Sequence, residues 1–335
     1  VHELFRNSRI IGRRFRIVHV RFGREIIEVT TFRGHHDKEA DNPDEAATNT
    51  SRKSSSGRLL RDNVYGTLEE DAVRRDLTVN ALYYDSGDFS VYDQVNGISD
   101  LEKRLVAIIG DPETRYREDP VRMLRVLRFA AKLAFEIAPA TAAGIAPCAH
   151  LLADIPPARL FDEFLKLFMA GYAAPTLDLL VRFDVLRYLF PDTDNALHDD
   201  PDCMALIRAA MVNTDNRIRD DKPVTPAFLL AVLLWPATAR RYESLLDRGD
   251  DPVPAMHSAG QEVIASATSH LSIPRRFSTP MREIWEMQLR LQRQPPRKPR
   301  ELAASRRFRA AYDLSLIHIS EPTRHICLSR MPSSA

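Results

Sequence analysis

The chain has 335 residues, 44% of them hydrophobic and 28% charged, with a formal net charge of +1. This composition excludes a disordered or fibrous chain. No apolar run reaches the roughly 18 residues that a bilayer-crossing helix needs, and the near-neutral balance leaves no global field that would draw a polyanion to the molecule as a whole.

The chain opens at Val1 within a charged segment, which is expected to be a truncated start. Residues 13–32 read as a β-hairpin: Phe15, Ile17 and His19 alternate with Arg16, Val18 and Val20, Gly23-Arg24 suits a type II′ turn, and Glu25–Phe32 returns. Residues 34–58 are almost wholly polar and are expected to form a mobile loop. A helix is predicted over 67–82 and a short β segment over Phe89–Asp93, followed by a turn at Asn96-Gly97. The second half carries helical periodicity over 119–135, 157–170, 174–188, 203–213, 226–235, 258–270 and 279–292. From about Ser315 the text reads Ser-Leu-Ile-His-Ile-Ser-Glu-Pro-Thr-Arg-His. It has no helical stripe and is similar to a translated sequencing adapter, so it is set aside as artefactual or disordered. Cys148, Cys203 and Cys327 show neither metal-ligand spacing nor a disulfide pattern. With no secretory signal in view, this points to a reducing cytoplasm.

Four constellations could carry chemistry. Glu28, inside Ile26-Ile27-Glu28-Val29, is either a buried acid steering a metal or an edge-strand glutamate facing water, because an unpaired buried charge is expensive. In Asp71–Asn80, Asp71 and Arg75 are spaced for an i,i+4 ion pair. The Arg74-Arg75-Asp76 run beside Asn80 can also present cations to a triphosphate and a carboxylate to a metal or ribose hydroxyl. Asp119-Pro120 reads as an N-cap followed by a first-turn proline. Arg122, Arg125 and Arg128 then recur every three residues beside an apolar stripe, which is either a solvated basic face or a seat for an anion. Asp119 and Arg122 together offer an acceptor and a donor fork of the kind that reads a base edge. The run Arg290, Arg293, Arg297, Lys298, Arg300, Arg306, Arg307, Arg309 is one-sidedly basic. It suits phosphate-backbone contact, or a solubilising helix face, or both.

Glu28-Val29-Thr30-Thr31-Phe32-Arg33, Arg74-Arg75-Asp76-Leu77-Thr78-Val79-Asn80 and Arg117-Glu118-Asp119-Pro120-Val121-Arg122-Met123-Leu124-Arg125 occur in that order. Together they resemble the class II nucleotidyltransferases, which comprise bacterial poly(A) polymerases and CCA-adding enzymes. The resemblance covers roughly residues 1–312. Phe32-Arg33-Gly34-His35-His36, Leu59-Leu60-Arg61-Asp62-Asn63, Ile155–Phe161 and Arg307–Tyr312 are similar to the poly(A) branch.

The resemblance implies an α+β fold: a remnant of a polymerase-β-like mixed-sheet head followed by an all-α neck and body. The divisions would be a head over 1–105, a neck with the nucleotide pocket over 106–170, an Arg-rich body over 171–312 and a tail over 313–335. It implies template-independent addition of AMP from ATP to RNA 3′ ends, with two Mg²⁺ ions clamping the phosphates. Asp76 would be a catalytic metal ligand and Glu28 a supporting acid beside it on the sheet. Arg75, Asn80, Asp119, Arg122, Arg125 and Arg128 would bind the nucleotide, and Arg306, Arg307 and Arg309 the RNA. The partners would be mRNA and small RNA 3′ ends, with no membrane. The family's Asp-x-Asp metal pair is absent upstream of Arg13, so this polypeptide alone is expected to be inactive. CCA addition and a non-catalytic RNA-binding protein are the competing readings.

Overall fold

The computed structural model describes residues 1–12, 16–34, 65–200, 202–292 and 299–320. Most of the expected loop over 34–58, the Leu59–Asn63 segment, Arg293, Arg297, Lys298 and everything beyond Ser320 lie outside the described residues. The chain packs as two compact units, Val1–Ala130 with Ala134–Cys148, and Ala131–Leu133 with Ala149–Ala335.

The first unit opens with an antiparallel sheet of β1 (Ser8–Ile11), β2 (Ile17–Phe22) and β3 (Glu25–Val29) in that order. The hairpin is where the alternation placed it. Phe22 pairs with Glu25 across Gly23-Arg24, and Gly23 takes the positive φ of +61° that the tight turn demands. Strand β1, which carried no sequence signal, adds to the far edge of β2. After β3 the chain runs through Thr30–Gly34 to a bridge between Arg33 and Tyr65. A Cβ on Gly66 would fall 2.4 Å from the Gly34 backbone, so these two segments meet only as glycines.

Helix α1 (Leu68–Arg74) starts on a reciprocal capping box: Glu70 N donates to Thr67 Oγ1 at 3.3 Å and Thr67 N to Glu70 Oε2 at 3.0 Å. The helix expected over 67–82 ends early, at Arg74. Asp76–Thr78 is pulled into extended pairing with Ala107–Ile109, through Thr78 N to Ala107 O and Ile109 N to Asp76 O, both 3.0 Å. That pairing buries Leu77 completely and overrides local helix propensity. A 3₁₀ turn over Thr78–Asn80 then leads into β4 (Leu82–Tyr84), which pairs with β5 (Val91–Asp93). Phe89, expected inside that strand, stands in the turn at φ 63°.

Helix α2 (Gly97–Glu102) and the two-residue parallel pair β6 (Leu105–Val106) and β7 (Glu136–Ile137) complete the strand-bearing part. Helix α3 (Pro112–Glu118) had no counterpart in the sequence reading, although Asp111 caps it through Thr114 N at 2.9 Å with Pro112 behind it. Helix α4 (Val121–Leu133) follows two residues later, then α5 (Pro139–Ala143) and α6 (Ile145–Cys148). Met123, Leu124 and Leu127 of α4, Tyr116 of α3, Leu77 and Ile145 are fully buried. The apolar stripe of α4 thus faces inward and leaves its arginines on the other side. The α+β class is as expected, but the strands among the described residues fall into three small sheets rather than one mixed sheet.

The second unit is helical throughout: α7 (Pro157–Phe168), α8 (Ala173–Arg182), α9 (Leu186–Leu189), α10 (Pro191–Asp199), α11 (Asp202–Arg219), α12 (Pro226–Leu233), α13 (Trp235–Asp247), α14 (Pro252–Leu271), α15 (Arg275–Leu291), α16 (Pro299–Ala303) and α17 (Phe308–Ser320). The helix expected over 174–188 is split. Asp184 turns left-handed at φ 56°, and Val185 N reaches back to Leu180 O at 2.8 Å, a Schellman stop. Helix α12 is buried over Ala227–Leu233 and so shows no amphipathic stripe. Trp285 anchors it by donating from Nε1 to Ala231 O at 2.9 Å. Helix α17 continues to Ser320, five residues past the point at which the helical pattern ends in the sequence. Among the described residues, no helix is long and apolar enough to cross a membrane.

Candidate active site

A cleft of about 740 Å³ opens in the first unit. Arg75, Asp76, Asn80, Asp119, Arg122 and Arg125 all line it, together with Thr30–Arg33, Asp71, Arg74 and Tyr83. The segment after α1 and the helix opening at Val121 therefore share one cavity. Arg128 and Glu28 do not line it. Arg128 lies over the ring of its neighbour Phe129, 4.7 Å from the centroid. Glu28 does not stand beside Asp76 as expected: its exposed carboxylate meets His19 Nε2 at 2.9 Å, across the β2–β3 register. The sheet that carries Glu28 is separate from the extended segment that carries Asp76, so the edge-strand alternative describes its surroundings.

Asp76 leaves the end of α1 on extended backbone, and its side chain is only 11% exposed. Arg125 Nε lies 2.5 Å from Asp76 Oδ2, a charge contact off hydrogen-bonding angle, so that both atoms are buried without a hydrogen bond. Asn80 Nδ2 is at the outer limit of hydrogen bonding to Asp76 Oδ1, at 3.5 Å. Buried charged atoms held in contact but not hydrogen-bonded are what a ligand would satisfy.

Arg75 is held from three sides. Its Nε and Nη2 donate to Asp71 Oδ2 at 3.2 and 3.1 Å, its Nε also to Tyr83 Oη at 2.9 Å, and its Nη1 to Asn80 O at 3.0 Å. The i,i+4 pair anticipated from spacing is therefore real, and it orients a guanidinium that remains 43% exposed to the cleft. Spacing in the sequence marks Asp71 only as that pair's partner, yet it is the hub. It also accepts from Tyr83 Oη at 2.7 Å and from Arg33 N at 3.2 Å. Burial pushes the Asp71 carboxyl up, but the Tyr83 hydroxyl, the Arg75 charge and the Arg33 amide outweigh it and hold the group below its ordinary range. Burial, with Asp71 accepting its proton, pushes the Tyr83 phenol up to about 12, so it stays a neutral donor. Tyr83 gave no signal in the sequence, because a lone tyrosine on a three-residue strand reads as packing.

Asp119 ends α3 as its C-cap and accepts from Val121 N at 3.3 Å, so it stands at the junction of two helices rather than only at the start of one. Arg122 Nη1 donates to Glu118 Oε2 and to Arg115 O, both at 2.8 Å. Arg122 is thus fixed by its own helix junction where it lines the cleft. In the second unit, Arg307 pairs with Glu283 at 2.7 Å and Arg309 contacts Asp313 at 3.7 Å, while Arg306 is exposed. The basic run is thus partly neutralised.

Among the described residues, no group of three or more His, Cys, Asp or Glu side chains is placed to hold a metal ion. Of the three carboxylates in the cleft, Asp71 is held by its donors, Asp119 accepts from Val121 N, and Asp76 Oδ2 meets Arg125 Nε without a hydrogen bond. The described residues of the cleft therefore offer separate carboxylates and not a metal centre.

Three family models match the chain: "Poly A polymerase head domain" over residues 1–107, "Probable RNA and SrmB- binding site of polymerase A" over 134–197, and "Polymerase A arginine-rich C-terminus" over 248–326. Poly(A) polymerase I of Escherichia coli O6:H1 is 45% identical over 334 residues, 99% of this chain and 70% of the relative. Poly(A) polymerase I of Haemophilus influenzae is 43% identical over 312 residues, 92% of this chain and 68% of the relative. A CCA-adding enzyme of Bacillus licheniformis is 27% identical over 322 residues, 91% of this chain and 75% of the relative. The fold is that of the Bacillus stearothermophilus CCA-adding enzyme solved in complex with CTP, at a TM-score of 0.56 and 21% identity over 96% of this chain and 66% of that one. With near-half identity to polymerases along almost its entire length, the chain belongs to the poly(A) polymerase family of nucleotidyltransferases.

Proposed function

We propose that this chain is the nucleotide-handling part of a polynucleotide adenylyltransferase that adds AMP from ATP to RNA 3′ ends without a template, releasing pyrophosphate. The observation that carries the reading is one cleft holding Asp76, Arg75, Asn80, Asp119, Arg122 and Arg125. The cation Arg75 is pre-oriented on one wall and suits a triphosphate, because a fixed guanidinium fork loses little freedom on binding an oxyanion. Asp119 and Arg122, side by side in the lining, suit the edge of a base as an acceptor and a donor fork. Asp76, a carboxylate on the wall of the cleft, would give up its charge contact with Arg125 to take a divalent cation, with Mg²⁺ as the ion and further ligands from outside the described residues. Arg128 supports α4 from outside the cleft, and Glu28 serves the sheet through His19.

RNA is the second substrate in this reading. Residues 1–105 act as head, 106–170 as neck and 171–312 as body, with Arg306, Arg307 and Arg309 contacting the phosphate backbone and mRNA or small RNA as the ends that are tailed. A cytoplasmic setting agrees with Cys148 and Cys203, both buried as free thiols.

The test supplies the purified protein with an RNA primer, Mg²⁺ and each nucleoside triphosphate in turn. ATP binding by this chain is expected, with AMP incorporation onto generic RNA only once an Asp-x-Asp metal pair is supplied in front of it, and in that protein Asp76→Asn should lower incorporation by about 10²-fold or more, the size of losing one electrostatic element of a transfer site. Incorporation of CMP onto tRNA lacking its end, in preference to AMP, would move the chain to CCA addition. Failure of the protein to bind ATP at all would sink the reading.

A further inference from the structure

The residue that ties the two walls of the cleft together is Arg115 of α3, which no motif singled out. Its side chain is only 11% exposed. One end of its guanidinium, Nη2, donates to two backbone carbonyls, Arg74 O at 2.8 Å and Arg75 O at 2.5 Å. The other, Nη1, donates to Glu118 Oε2 at 3.0 Å. That same Glu118 oxygen accepts from Arg122 Nη1 at 2.8 Å, and Arg122 Nη1 donates also to the carbonyl of Arg115 itself at 2.8 Å.

The physical reason for an arginine here is the way α1 ends. The last carbonyls of a helix have no partner within it and carry the negative end of its dipole. Arg74 and Arg75 supply two such carbonyls, at the point where the chain leaves the helix for Asp76. A cation arriving from another helix satisfies both, and only a planar fork reaches two carbonyls with one nitrogen and a carboxylate with the other. The placement of Asp76 on one wall and of Arg122 on the other is thereby referred to a single buried group.

We propose that Arg115 is a positioning residue for nucleotide selection: it fixes the Arg74–Asp76 segment relative to Arg122, so that the triphosphate and the base are read in one geometry. Arg115 touches neither substrate. It acts through Glu118 and the two carbonyls. The inference rests on the reading that the cleft holds ATP, and it adds the source of the preference for ATP over other nucleotides.

The experiment measures the dissociation constants of ATP and CTP for the whole chain, by calorimetry at a temperature well below each variant's melting point. Arg115→Gln is expected to weaken ATP about tenfold while changing CTP little, so that the ATP:CTP affinity ratio falls by a similar factor. Arg115→Lys keeps the charge but lacks the fork. It should restore the thermal midpoint more fully than it restores the ratio. Glu118→Gln should lower the ratio as well, and combining it with Arg115→Gln should add little, because the two act as one unit. An unchanged ratio in a folded Arg115→Gln overturns the proposal, as does a ratio lost only in proportion to stability. If Arg115→Gln does not fold, Arg115→Lys decides: a wild-type ratio in that variant overturns the proposal and a lowered ratio supports it. Absence of ATP binding by the unsubstituted chain would instead refute the nucleotide-site reading itself.

Discussion

Asp71 is the residue on which the first wall of the cleft turns. A carboxylate that is buried yet accepts from Tyr83, Arg75 and a backbone amide is stabilised in its charged form, so folding and ionisation of this group are linked. Its pKa is held below the ordinary 3.8. The stability it contributes is therefore fully present above pH 3.8 and is lost as pH falls through the lowered native value. Asp71→Asn leaves donors without a charged acceptor and should cost about 1–3 kcal/mol at pH 7, the range for an unsatisfied buried polar group. In thermal melts the midpoint of the variant should lie below that of the unsubstituted chain at pH 7, and the two should converge as the pH is taken below 3.8. A gap that persists unchanged in acid would remove the charge from the explanation. The spacing of Asp71 and Arg75 in the sequence announced the pair. It could not announce Tyr83 or Arg33, which arrive from a strand and a loop 12 and 38 residues away.

At the scale of elements, helix ends decide where side chains point. Helix α1 stops at Arg74 because Leu77 is drawn into pairing with Ile108, and that stop converts Asp76 from a helix-face residue into one projecting from extended backbone. A comparable device operates in the second unit. Asp215, buried on α11, accepts from Ala173 N at 2.6 Å and Ala174 N at 2.9 Å, and so caps the start of α8 from 41 residues away. Helix α8 has no side-chain cap of its own, and its first amides would otherwise be buried unpaired. Asp215→Ala should therefore destabilise the protein by about 2–4 kcal/mol, combining a lost cap with stranded donors. Asp215→Asn, which retains an acceptor, should cost less than half of that. Denaturant unfolding followed by far-ultraviolet circular dichroism measures both. Equal losses for the two variants would mean that packing, not capping, is what Asp215 provides.

At the scale of the whole molecule, a net charge of +1 means that any hold on RNA must come from local clusters. The basic run near the end of the body is less cationic than its sequence, since Arg307 is matched by Glu283 and Arg309 by Asp313. Neutralising Arg306 and Arg309, the exposed pair, should flatten the dependence of RNA affinity on salt by about one logarithmic unit per lost phosphate contact. Arg307→Ala should flatten it by less, because Arg307 must give up its 2.7 Å pairing with Glu283 to meet a phosphate. Arg122→Ala should instead weaken ATP without altering the RNA salt slope. Filter binding of a labelled RNA over a salt series, beside ATP titrations, separates these outcomes. Equal effects of all the substitutions on both ligands would dissolve the division between nucleotide cleft and RNA surface.

Local chemistry written in the sequence sufficed for the hairpin at Gly23-Arg24, for the apolar face of α4 and for most of the body helices, each of which depends on a turn preference or a periodicity that neighbouring residues set among themselves. The six residues that share the cleft were legible only through the order of three motifs that resemble the family's. The end of α1, the removal of Glu28 from the cleft, the Tyr83 contact and the Arg115 brace were decided only by tertiary structure. They rest on hydrogen bonds between segments far apart in the chain, whose strength depends on burial, and burial is a property of the packed molecule rather than of any stretch of it.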